Sequence, residues 1–298
     1  MAAEENRCAA AEGAAITLGS AVVPRVMSAA EREQLRHPME RRIVTVVALL
    51  ETFLIVVVLG LLIGGAEWLA ARPTIAKYKT HARILVVAVL AAPLVMTYAL
   101  RRRRLLAQEE SICLGTAQLP EIHSVLVRHC LRAGIPVPDL YLSDGVDHTT
   151  SFEWRGQSCI VLSTHDFDLF PCAADDMIDF ALAREVGSIC LGHTRVRQEL
   201  LSTFVAPIPF LRGPLHEIRT YSRDRYGAVL APRALRALIV TASGDRLLNR
   251  IDVDAYFAQL DQEAEGGVWK TIIWLIRKRV PLAHRVDQLR RAGLLTRY

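Results

Sequence analysis

Aromatic residues are scarce in this chain, at 6% of positions, and none of its six cysteines belongs to a C-x-x-C pair. The first shortage leaves no basic stretch interleaved with aromatics, and no RNA-binding signature is present, which argues against a nucleic-acid partner. The cysteines (Cys8, Cys113, Cys130, Cys159, Cys172 and Cys190) are scattered over 298 residues. A chain of this length does not need covalent staples, so they read as reduced thiols in a cytosolic domain. Cys190 and His193 are spaced to share one helix face, but a second pair of ligands with matching spacing is missing, so Cys190 reads as a buried thiol. A basic start followed by an apolar core, the mark of a signal peptide, is also missing. Glu4 and Glu5 come first, and residues 1–27 read as a loose Ala-rich tail. Ser28 and Glu31 then form a capping-box pair that opens a short polar helix, which sets residues 1–40 apart as a leading segment.

What is abundant is apolar sequence, 52% of the chain. Much of it lies in two runs. Residues 43–66 carry one charge, Glu51, and residues 84–100 carry none, with Arg83 and Arg101 at their borders. At helical rise these cover roughly 36 and 26 Å, close to the ~30 Å of a hydrocarbon core. The expectation is a two-helix transmembrane hairpin over 41–104 with the lipid bilayer as a partner. Pro93 is tolerable in such a span, and Glu51 becomes a candidate functional carboxylate. The flanks carry eight positive charges (Arg32, Arg36, Arg41, Arg42 and Arg101 to Arg104) against four in the linker (Arg72, Lys77, Lys79 and Arg83). This bias places both ends, and the domain from 105 to 298, on the cytoplasmic side of an inner membrane.

Residues 105–298 read as a helix-rich α+β domain with a small sheet. A helix over 119–133 is stopped by Gly134. "IPVPDLYLSD" enters a strand after its prolines, and "TTSFEWRGQSCIVLST" reads as two strands around Arg155-Gly156. Pro171, Asp175 and Asp176 open the next helix, and another follows over 216–230. Asp166 and Asp168 read as a surface turn. "LLSTFVAPIPFL" (201–212) is too broken by proline to span a bilayer. "VWKTIIWLIRKRV" (268–280) reads as a partly buried helix.

The stretch "FALAREVGSICLGHT" (180–194) carries the chemistry to be explained. Positions 184 and 188 are i and i+4 on one helix face. Two histidines there grip a zinc ion, and an intervening Glu activates its water. This chain has Arg184, Glu185 and Ser188. Downstream stands "YSRDRYGAVLA", and near the end "PLAHRVDQLRRAG". The order of the hairpin, "AGIPVPDLYL", "IVLST", "LAREVGSICLGH" and these two segments resembles the HtpX and CAAX-prenyl-protease family of membrane zinc metallopeptidases over residues 40–298. That resemblance implies a zincin-like domain with H-E-x-x-H on one helix and E-x-x-x-D-R on a later one, whose Glu is the third ligand. Aligned on Asp224-Arg225, the third-ligand position is Thr220.

All three implied ligand positions are therefore altered, to Arg184, Ser188 and Thr220, and only the general base Glu185 remains. A guanidinium stays protonated and cannot bind a metal, and hydroxyls are poor zinc ligands. The reading is a degenerate metallopeptidase with no metal cofactor, a pseudoenzyme that binds a peptide or protein or regulates a membrane complex. Two alternatives stand beside it: an active zinc endopeptidase with unusual ligands, in which His216 and Glu217 join Glu185, and a structural subunit of a membrane complex. In the resembled family the Asp of the later motif orients a ligand. Here Arg184 is expected to pair with Asp224 or Glu185 in the place of zinc, with Arg225 and His193 as supporting residues. "SCIVLS" (158–163) is the expected edge strand for an extended peptide.

Overall fold

The computed structural model describes residues 25–63, 109–146, 148–154, 156–165, 174–195, 209–243, 251–262 and 280–295, with isolated positions between them. These form an α+β arrangement of eight helices and one four-stranded sheet. The helices are α1 (Ala29–Gln34), α2 (Glu40–Ile63), α3 (Pro120–Ala133), α4 (Ala174–Cys190), α5 (Pro209–Leu230), α6 (Ala234–Ser243), α7 (Val253–Gln262) and α8 (Leu282–Arg291). The strands are β1 (Ile112–Leu114), β2 (Asp139–Ser143), β3 (Thr150–Trp154) and β4 (Gln157–Ser163).

Local sequence accounts for most element ends. The Ser28 hydroxyl accepts from the Glu31 N–H at 3.2 Å, and the Glu31 carboxylate accepts from the Ser28 N–H at 2.7 Å, closing the capping box of α1. Gly134 ends α3 in the left-handed region at φ 66°, where a Cβ is disfavoured. Gly156 does the same between β3 and β4 at φ 83°. The sheet order is β1-β2-β4-β3, with β2 and β4 parallel and both outer pairs antiparallel. Helix α5 starts seven residues before the expected position 216 and runs through Pro214. Packing outweighs the lost helix hydrogen bond there, because Leu215 joins the buried cluster of Val47 and Leu201.

The main core lies between the sheet and helices α3, α4, α5, α6 and α8. It includes Leu126, Leu140, Ile160, Leu162, Leu182, Val186, Leu238 and Leu289, all buried. Helices α4 and α5 cross at its edge on two glycines. A Cβ on Gly187 would run into Cβ and Cγ of Tyr226, and one on Gly227 would run into the Phe180 ring and Cγ of Arg184. Each helix thus supplies a glycine where the other brings bulk. This close approach carries the candidate site residues of both helices toward each other.

Two expectations are corrected. Among the described residues no helix is long and apolar enough to cross a membrane. This overturns the transmembrane hairpin and the integral inner-membrane placement. The first apolar run is α2, and its N-terminal part serves the domain. Glu40 is buried against residues of the domain, Val47 is buried with Leu201 and Leu215, and α2 packs along α5. Glu51 faces the same way: desolvation pushes its carboxyl up to about 7, with the nearby Arg219 opposing. Most of the second run, the linker, the tail up to residue 24, Asp166, Asp168, most of 201–212 and residues 268–279 lie outside the described residues. The second correction concerns the thiols. Cys130, Cys159 and Cys190 are thiols outside any disulfide, but Cys113 is disulfide-bonded. The argument for the cytosol from six unpaired cysteines does not hold.

Candidate functional site

Asp224 is the centre of the crossing. It is fully buried on α5. Its carboxylate accepts two hydrogen bonds from Arg285 of α8, from Nε to Oδ2 at 2.6 Å and from the terminal nitrogen to Oδ1 at 2.8 Å. Arg184 of α4 places Nε 2.8 Å from Oδ1. One carboxylate therefore ties three helices together. Burial alone would raise the Asp224 carboxyl, but Arg285 and Arg184 outweigh it and hold the group below the ordinary aspartate value. Desolvation pulls Arg184 down to about 10 against the Asp224 charge, which leaves it protonated at neutral pH. Its guanidinium also lies over the Phe180 ring, 5.8 Å from the centroid.

Glu185, next along α4, is buried and turned toward the sheet. The Ser151 hydroxyl of β3 donates to Oε2 at 2.6 Å. Arg223 of α5 lies 3.7 Å from Oε1. Arg223 also reaches the Thr220 hydroxyl at 3.4 Å, and that hydroxyl donates to the carbonyl of His216 at 2.8 Å. Ser188 is buried one turn further along α4. His216 is exposed, yet protein surrounds it on several sides. Desolvation, followed by the charges of Arg223, Arg212, Arg184 and Arg219, brings its imidazole down to about 4.

The residues singled out from the sequence thus fall in two places. Arg184, Glu185, Ser188, Thr220 and Asp224 meet at the α4–α5 crossing. His193 does not join them. It follows α4, and its Nε2 is 2.8 Å from Glu40 Oε1 at the start of α2. Arg36 reaches the same oxygen at 2.5 Å, and Ser222 donates to Oε2 while accepting from the His37 N–H at 2.9 Å. Arg225 points away from the crossing; desolvation lowers its guanidinium, and its charge in turn lowers His37. Three participants carried no signal strong enough to be named in advance. Arg285 stands in "PLAHRVDQLRRAG", Ser151 in the strand that precedes Arg155-Gly156, and Glu40 at the border of an apolar run.

Zinc does not suit this donor set. Arg184 is bound to Asp224, the Thr220 hydroxyl donates to a backbone carbonyl, and Glu185 is engaged by Ser151 and Arg223. A replacement set from His216 and Glu217 does not assemble either. Glu217 accepts from the Tyr221 hydroxyl and lies 3.6 Å from His284 Nδ1, on the side of α8. No group of three or more His, Cys, Asp or Glu side chains that could hold a metal ion occurs among the described residues. A further correction concerns the strand: residues 158–163 belong to β4, which is paired on both sides by β2 and β3. The strand at the sheet margin next to α4 is β3. Comparison with protein-family models, with curated proteins and with solved structures returns no match. The family resemblance therefore rests on the order and spacing of the motifs alone.

Proposed function

We propose that this chain is a non-catalytic relative of the HtpX and CAAX-prenyl-protease group whose domain binds an extended segment of a protein along β3. The observation that carries this reading is the position of Glu185. In a working peptidase the residue after the first ligand position activates a metal-bound water. Here its carboxylate is committed to Ser151 on β3 and to Arg223, and the three ligand positions are given over to an ion pair and to buried hydroxyls. Among the described residues the crossing offers no ligand set for metal hydrolysis, while the marginal strand beside the helix remains. A strand at a sheet margin can hold an extended peptide by main-chain hydrogen bonds, with side-chain specificity set by what lies next to it.

The test uses an array of ten-residue peptides of mixed sequence and the purified full chain. Retained peptides are resynthesised with alternate backbone amides N-methylated, in both registers. N-methylation removes main-chain donors without changing side chains. Affinity should fall at least tenfold in one register. Unchanged affinity in both registers would overturn pairing along β3, and zinc-dependent cleavage that is lost in Glu185→Gln would overturn the non-catalytic reading.

A further inference from the structure

The face of α5 that meets Glu185 is a line of cations. Arg212, His216, Arg219 and Arg223 stand at i, i+4, i+7 and i+11, the spacing that keeps side chains on one helix face. Arg212 is exposed and forms no ion pair among the described residues. Arg219 is held by Gln198 through its side-chain oxygen at 2.5 Å. Arg223 and Arg184 keep about a fifth of their side chains open, at 23% and 22%. The carboxylates facing this line do not neutralise it. Asp224 is shared by Arg184 and Arg285, and Glu185 faces Arg223 only at 3.7 Å. Glu40 and Glu51 act on Arg219, so the open positive charge of the line lies at Arg212 and on the exposed sides of Arg223 and Arg184. The charges that act most on His216 are those of Arg223, Arg212, Arg184 and Arg219.

We propose that this cationic line on α5 recognises an acidic protein segment, whose Asp or Glu side chains seat against Arg212, Arg223 and the open side of Arg184. The proposal rests on the peptide-binding reading above and names its ligand class. Continuity supports it: Ser151 of β3 touches Glu185, and Glu185 faces Arg223, so a chain laid on β3 arrives at the end of the line. The lengths match too. Eleven residues of helix span roughly 16 Å, which an extended chain covers in about five residues. Guanidiniums suit carboxylates because their planar donors meet both oxygens. Where a zincin-type site would present a metal cation to a substrate carbonyl, this surface presents fixed cations to carboxylates.

The experiment is fluorescence anisotropy with two labelled ten-residue peptides, alternating Val and Glu or alternating Val and Gln, on the full chain. The Glu peptide should bind at least tenfold more tightly, lose that advantage in high salt, and weaken at least fivefold against Arg212→Glu. Arg212 is exposed and forms no ion pair among the described residues, so this variant should keep the wild-type circular dichroism, and Arg223→Gln provides a second reading nearer β3. Equal binding of the two peptides would overturn the acidic preference while leaving pairing along β3 standing. A Glu-peptide affinity insensitive to both variants would also overturn it, as would binding to phosphatidylserine vesicles but not to the peptide. If N-methylation leaves the Glu peptide bound, the reading of β3 fails and the cationic line stands.

Discussion

Two buried carboxylates are both anchored on α5, Asp224 as one of its own residues and Glu40 through Ser222, and they behave differently. Asp224 and Glu40 are both almost wholly excluded from water, and each is gripped by partners from separate segments. Asp224 is held by guanidiniums alone, from α4 and α8. Glu40 is held by Arg36, by Ser222 and by an imidazole, His193. The first clamp joins three helices of the main core. The second fastens α1 and α2 to that core from outside. The difference is that the inner clamp has no imidazole among its partners, whereas the outer one does. A buried pair is weak grounds for net stability, but removing one partner of it is severe.

The largest effect should therefore follow Asp224→Ala, which leaves Arg184 and Arg285 facing each other in the core. Global unfolding free energy should drop by about 4 kcal/mol, read by urea denaturation. Retention of wild-type stability would show that the two guanidiniums find water and that the clamp is not central. Glu40→Ala should cost about 3 kcal/mol by the same argument, but locally. Amide exchange should speed up in α1 and the start of α2 while α4 stays protected. If α4 and α1 lose protection together, the two clamps form one cooperative unit and the contrast fails.

Acid should separate them further. Desolvation lowers His193, with Arg219 and Arg223 adding and Glu40 opposing. Its folded value thus lies below the unfolded value of about 6.5. The unfolded chain takes up a proton first, so this contribution is complete above about 6.5 and is lost as pH falls toward the folded value. His37 shifts in the same direction and borders the same clamp. Asp224 is also depressed, from a far lower starting point, so its contribution persists until the pH passes below about 4. Protection of the α1 and α2 amides, corrected for the intrinsic exchange rate at each pH, should therefore fall as the pH drops below about 6.5, before α4 and α8 respond. His216→Gln is the right background, because that imidazole would add its own acid sensitivity to α5. A single transition below pH 4 would remove the distinction.

The inner clamp was half legible in the sequence. The resemblance set Arg184 against Asp224 or Glu185, and Asp224 is the partner that Arg184 meets. Arg285 was not legible, since nothing local distinguishes a buried arginine from the many exposed ones on a polar helix like α8. The glycine contact at Gly187 and Gly227 was equally hidden: a glycine inside a helical pattern reads as a weakness until the partner helix is known. Glu40 was not legible for a different reason. Its neighbours form an apolar run, and hydropathy reports composition along a chain, not the partners that a folded domain brings from residues 193 and 222. The β3–β4 hairpin was placed correctly, but which strand lay outermost depended on β2 pairing in parallel with β4, a long-range choice that strand patterns do not encode.

The smallest effect is the most discriminating. Arg184 occupies the position where the resembled family carries a zinc ligand, and Asp224 already has two hydrogen bonds from Arg285. If Arg184 is present to hold the fold, Arg184→Met should cost about 2 kcal/mol, less than breaking a buried ion pair outright because Arg285 still holds Asp224. Met keeps the aliphatic contact with Phe180 and Gly227, so packing should change little. If Arg184 is present to recognise a ligand, the same variant should lose more in Glu-peptide affinity than in stability. The ratio of the two losses, measured on one preparation by anisotropy and urea denaturation, assigns the residue. A stability loss with peptide affinity unchanged makes Arg184 a strut of the inner clamp, and it confines recognition to Arg212 and Arg223 on α5.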